Sequence, residues 1–137
     1  MSSSDAECCY YVGIGSMMNP NSMALRDLFP VESWPCRCEG FVRRFWGKMG
    51  MAEIFEEENG EFHAVLHKMT LENMQRLDKM ESGYIRKDVV CVLNDGRRIV
   101  GSGYQFDRSK LSVNAARPPS ERYVDIMVQG MQHFGCD

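Results

Sequence analysis

The stretch from Cys8 to Pro20 constrains this chain most, because an apolar run stops there at a glycine-serine turn and a helix start follows. Cys9, Tyr10, Tyr11 and Val12 combine aromatic and β-branched character, so the run reads as a buried strand. Gly13 and Gly15 mark its end. Glycine admits positive φ and lets another molecule approach without meeting a Cβ, so a turn at Gly15-Ser16 can aim bare N–H groups at an anion. Asn19 reads as an N-cap and Pro20 as the first helical residue, which adds the partial positive charge of a helix N-terminus. A carboxylate or phosphate suits such a loop. The plainer reading, a tight strand-to-helix turn with no ligand, stays open on these residues. The Gly-x-Gly-Ser run lacks the Lys-Ser/Thr of a P-loop and the third glycine of a dinucleotide fingerprint, so neither motif is assigned.

The 137 residues, 44% of them hydrophobic, suffice for one core. The chain is therefore read as a short disordered tail, 1–7, followed by a single domain over 8–137. Its net charge of −3 is scattered in both signs, whereas a nucleic-acid surface needs a clustered basic face. No stretch reaches the ~18 apolar residues of a membrane span, and the first residues lack the basic and apolar regions of a signal peptide. The expectation is a soluble cytoplasmic protein with no nucleic-acid or membrane partner.

Without a signal peptide, the six cysteines are expected as thiols buried in strands rather than disulfides. Cys8-Cys9 and Cys36-Arg37-Cys38 lack the Cys-x-x-Cys spacing of zinc or redox sites. His63 and His67 would suit a metal on a helix, but 61–68 follows a turn and reads as a strand, in which four residues span roughly 13 Å. No metal is expected.

A first helix is expected over about Pro20 to Leu28, stopped by Phe29-Pro30, with Met23, Ala24 and Leu28 facing the core. Ser33 to Trp46 alternates with a slip at Gly40, which suggests a bulge in a long bent strand. Met49 to Phe55 and Phe62 to Met69 flank an acidic turn, Glu56 to Gly60, and read as a hairpin. A second hairpin is expected from Asp88 to Leu93 through Asn94-Asp95-Gly96 to Arg98–Phe106.

Thr70 reads as the N-cap of a helix from Leu71 to about Glu81, whose apolar stripe is Leu71, Met74 and Leu77. The same rotation puts Glu81 inside that stripe and Asp78 beside it. A carboxylate there is paired, neutral or functional, because an unpaired buried charge is costly. Alternatively the helix ends earlier, at a Gly83 stop, and Glu81 points into a loop. For Asp78, pairing with Arg86 is the ordinary expectation. After a proline-marked connection, Ser120 caps a last helix through roughly Phe134, ended by Gly135, with Tyr123, Met127, Gly130 and Phe134 on its core face.

Three segments in this order resemble the gamma-glutamylcyclotransferases, over about Tyr10 to Gly135. The family's Tyr-Gly-Ser-Asn-Leu loop corresponds to Ile14-Gly15-Ser16-Met17-Met18, followed by Asn19-Pro20. Its Leu-Asp-x-x-Glu segment corresponds to Leu77-Asp78-Lys79-Met80-Glu81, and its Pro-Ser-x-x-Tyr helix opening to Pro119-Ser120-Glu121-Arg122-Tyr123. Ile14 and Met17 depart from the family tyrosine and asparagine, removing a hydroxyl and an amide. Relatives often continue past the last helix, which leaves a missing tail open.

The resemblance implies an α+β fold, a small mixed β-barrel of about six strands with flanking helices. It also implies cofactor-independent cyclisation of a small γ-glutamyl substrate to 5-oxoproline, with release of an amino acid or amine. Glu81 would be the acid/base. The loop Ile14, Gly15, Ser16, Met17 and Met18 would hold the substrate, with Tyr84 and Tyr123 as candidates for orienting Glu81 or the substrate. A homodimer is the assembly left open. A second class, a non-catalytic member that keeps the barrel as a binding or interaction module, is favoured by Ile14 and Met17 and opposed by retention of Glu81.

Overall fold

The computed structural model describes residues 8–46, 51–80, 84–107 and 120–135. The expected tail, 1–7, and Glu81 with its two successors lie outside them. Five strands, β1 (Cys8–Gly13), β2 (Glu32–Trp46), β3 (Met51–Thr70), β4 (Tyr84–Leu93) and β5 (Arg98–Phe106), close into a barrel in the order β1-β3-β2-β4-β5. Neighbours pair antiparallel except β1 and β5, which meet in parallel with Tyr11 opposite Ser102. The mixed barrel is thus present, with five described strands in place of about six.

The difference lies in the acidic segment. Glu56 to Gly60 does not reverse the chain: Phe41 pairs with Glu56 and Glu39 with Glu61, so both expected hairpin strands run as one strand along the whole of β2. The extra residues bulge out opposite Gly40, whose φ of +81° supplies the bend read from the sequence. The hairpin of β4 and β5 forms as expected, turning at Gly96 with φ +88°.

Inward-facing residues of a small barrel must fit a narrow bore. Val12, Cys36, Cys38, Ile54, Ala64, Leu66, Val89 and Cys91 fill it. Gly101 and Gly103 face the same bore, where a Cβ would come within 2.9 Å of Leu66 and 2.8 Å of Ile54. Bulk from the other strands therefore takes up the space beside β5.

Among the described residues three α-helices pack outside: α1 (Pro20–Leu25), α2 (Leu71–Met80) and α3 (Glu121–Phe134). Asn19 caps α1 by accepting from the Asn21 N–H at 2.9 Å, with Pro20 at the first helical position. This helix stops three residues short of the expected end. Met23 and Leu28 are buried, but Ala24 is exposed. Thr70 caps α2 through a 3.1 Å bond from the Asn73 N–H. Met74 and Leu77 are buried against Tyr11, Met69 and Tyr104, each worth about 1.5–3 kcal/mol of burial. Leu71, expected on that stripe, is 46% exposed, and Asn73 is buried with its Nδ2 bonded to the Phe29 carbonyl at 3.1 Å. α3 starts at Ser120, whose Oγ accepts from Tyr123 N–H, and ends at Gly135 in the left-handed conformation, as the sequence indicates. No helix among the described residues is long and apolar enough to cross a membrane.

Candidate active site

The loop leaving β1 becomes a single 3-10 turn, Ser16–Met18, before α1 begins. Its carbonyls are tied down from behind. Arg43 Nε donates to the Ile14 carbonyl at 2.7 Å, and another guanidinium nitrogen donates to His63 O at 2.6 Å. His67, fully buried on β3, has Nε2 2.8 Å from Met17 O and Nδ1 2.7 Å from Ser33 Oγ. Because a carbonyl only accepts, Nε2 carries the proton and Nδ1 accepts from Ser33. Burial disfavours the charged ring and lowers its pKa to about 4, only partly offset by the bond to Met17 O.

The first N–H groups of a 3-10 turn lack an intraturn partner, and this turn lines a cavity. That cavity measures about 270 Å³. Gly15, Ser16 and Met17 form one wall, and Tyr84, Tyr104 and Tyr123 bring three phenol rings to it.

Tyr123 reaches this wall because α3 packs unusually close. Gly130 lies against the backbone of Met18 and Asn19, where a Cβ would stand 2.7 Å from Asn19 N and closer still to Met18 O. Asn19 Nδ2 bonds Ile126 O at 3.1 Å, joining the cap of α1 to α3. The Tyr123 hydroxyl then sits over Gly15 and accepts from the Ala52 N–H at 3.3 Å, with its ring edge-on to Phe45. A Cβ on Gly15 would overlap that hydroxyl and lie 3.1 Å from Ala52 Cβ. The glycine is required for space, independently of any ligand.

The sequence-derived candidates thus converge in large part. Ile14, Gly15, Ser16, Met17, Tyr84 and Tyr123 all line the cavity. Met18 does not: it is fully buried with Val65 and Met127 beneath α3. Glu81 lies outside the described residues, but Met80 and Tyr84, on either side of its segment, both line the cavity.

Sequence reasoning missed Tyr11, Arg26, Met51, Ala52 and Tyr104, and it missed His67 as the support behind the loop. Tyr104 Oη donates to Asp78, and Asp78 also pairs with Arg86 at 3.4 Å, the partner expected for it. Asp78 was the available signal for Tyr104, since a carboxylate beside an apolar stripe needs a donor. Nothing in the local sequence of β3 marks His67, whose partners are 34 and 50 residues away.

No family model matches the chain, and no curated protein sequence does. Solved structures do. An uncharacterised human protein superposes with a TM-score of 0.77 at 25% identity, covering 94% of this chain and 81% of that one. A gamma-glutamyl cyclotransferase gives the same TM-score and coverage at 24% identity. The Bacillus subtilis protein YkqA gives 0.74 at 21% identity, with 96% of this chain aligned to 51% of that one. The chain has the fold of the gamma-glutamylcyclotransferase-like family.

Proposed function

We propose that this protein cyclises a γ-glutamyl compound to 5-oxoproline and releases the amine or amino acid. The observation that carries the reading is one cavity walled by both the Gly15–Met17 loop and the two residues flanking the Glu81 segment, although some 65 residues separate them in sequence. At about 270 Å³ it is near the lower end of ligand sites, roughly 300–1,000 Å³, which suits a γ-glutamyl head.

The substrate's α-amine is already tethered to the γ-carbonyl it attacks, so closure of a five-membered ring gains from proximity and needs no cofactor. The protein has two tasks. Loop N–H groups at Gly15, Ser16 and Met17 hold the α-carboxylate. Glu81 takes the ammonium proton and passes it to the leaving nitrogen, while Tyr84 and Tyr123 orient the groups around it. Cys9, Cys36, Cys38 and Cys91 take part in no disulfide, in keeping with a reducing compartment such as the cytoplasm.

A second reading is a binding module on the same cavity. It draws on Ile14 and Met17, whose hydrocarbon lines the wall where the resembling family carries a tyrosine and an asparagine. Incubation with γ-glutamyl dipeptides, γ-glutamyl-lysine and glutathione, reading 5-oxoproline by mass spectrometry, separates the two. Turnover on at least one member of the panel supports the enzyme. Binding without turnover on all of them overturns it in favour of the module.

A further inference from the structure

Cys36 and Cys38 lie two residues apart on β2, and Cys91 on β4 stands directly opposite Cys38. The period of two along a strand sends all three side chains to one face, the barrel bore, where none is more than 2% exposed. The three sulfurs lie within 4.8 Å of one another, with Cys38 and Cys91 4.0 Å apart. Three sulfurs bound pyramidally to one centre through bonds of about 2.3 Å stand roughly 3.5 Å apart. Small side-chain rotations would bring the three thiols to that spacing. Spacing along the sequence could not reveal the cluster, because Cys91 is 53 residues from Cys38.

Charge and ligand number decide what fits. Zinc in structural sites takes four ligands, and among the described residues no fourth histidine, cysteine or carboxylate joins these three. Copper(I) on three thiolates would carry two negative charges into a bore otherwise lined by Val12, Ile54, Ala64, Leu66 and Val89. Such charge is costly without a partner, and the adjacent cation, Arg37, is engaged with Glu39 and Glu61. A trivalent metalloid bonded to three thiolates is neutral, and three sulfurs complete its bonding.

We propose that Cys36, Cys38 and Cys91 form a site for a trivalent thiophilic metalloid, entering as uncharged arsenous acid. Three S–H and three As–OH bonds break and three As–S bonds form. The thiol protons leave with the hydroxyls as three waters, and no oxidation state changes.

The test exposes two proteins to arsenite under reducing conditions: the full chain, and a variant with Cys8, Cys9 and Cys136 all changed to Ser. Native mass spectrometry counts the arsenic, and X-ray absorption counts the sulfurs around it. Both proteins are expected to hold one arsenic on three sulfurs. Cys91→Ser and the packing-conservative Cys91→Val, checked for folding by circular dichroism, are expected to lose the third sulfur and more than about tenfold in affinity. Loss of arsenic from the Cys8/Cys9/Cys136 variant overturns the site, as does unchanged binding in folded Cys91→Val. Preferential retention of zinc or copper(I) at equal exposure overturns the choice of ligand.

Discussion

His67 Nε2 lies 2.8 Å from the carbonyl oxygen of Met17, so a fully buried imidazole on β3 holds the wall of the cavity from behind. Its other nitrogen, 2.7 Å from Ser33 Oγ, ties that contact to β2. The neutral ring with its proton on Nε2 satisfies both partners, whereas charging it makes the Ser33 hydroxyl turn from donor to acceptor and places a charge in a buried site. The position of the cavity-lining loop is thereby linked to the protonation of a residue that does not itself line the cavity.

Stability should therefore fall with acid in a defined window. Burial depresses the His67 pKa from 6.5 to about 4 in the folded chain, so the unfolded state binds the proton more readily. The contribution is fully present above about pH 6.5 and is lost as pH falls toward 4, amounting to roughly 2 kcal/mol by pH 5. Urea unfolding near pH 7.5 and near pH 5 measures it. His67→Gln should be less stable at the higher pH and should lose much of this pH dependence. An equal acid loss in parent and variant would assign the effect to other groups.

Gly15→Ala should displace the Tyr123 hydroxyl, because the new methyl would overlap it while also pressing on Ala52. Overpacking of this kind costs about 1–3 kcal/mol, and the shifted phenol should lower turnover as well. Tyr123→Phe in the same chain removes the overlapping oxygen and should restore part of the lost stability without restoring activity. Thermal unfolding of the single and double variants checks this, and additive destabilisation would mean the two residues are not in contact.

Gly130→Ala sets two effects against each other. Alanine is favoured over glycine inside a helix by about 1 kcal/mol, but its Cβ would meet the backbone of Met18 and Asn19, which cannot rotate away as a side chain can. The clash should win. We expect net destabilisation together with loss of the close approach that places Tyr123. A chain made more stable by this substitution would show that α3 does not sit against the loop.

Much of this arrangement was legible in the sequence where the chemistry is local. Asn19, Ser120 and Gly135 act at helix ends through partners two to four residues away, and Gly40 bends its own strand. The acidic segment misled because Asn59-Gly60 carries the local signal of a hairpin turn, and Asn59 does adopt φ +64°. Whether such a segment reverses the chain or bulges from it depends on what lies alongside, and β2 continues past it on both sides. Tyr104 and the three bore thiols were hidden for the same reason, since register across strands brings their partners together. The three resembling segments marked part of the cavity wall because each supplies a local structural device that the fold uses.

Glu81 and Asp78, three residues apart, should separate the chemical role from the structural one. In the proposed reaction Glu81→Gln keeps shape and hydrogen bonding but cannot take the ammonium proton, so turnover should fall by roughly 10²- to 10⁴-fold, as for a general acid/base. Binding of γ-glutamyl compounds should be largely retained. Asp78 instead accepts from Tyr104 and pairs with Arg86 in a half-exposed position. Asp78→Asn keeps an acceptor for the phenol and gives up an ion pair worth about 0–1 kcal/mol, so its effect should appear in unfolding more than in the chemical step. Turnover numbers and unfolding midpoints on both variants distinguish the roles. If Glu81→Gln cyclises as fast as the parent while Asp78→Asn does not, the proton is carried through Tyr104 and Asp78 instead, and the base must be reassigned to that pair.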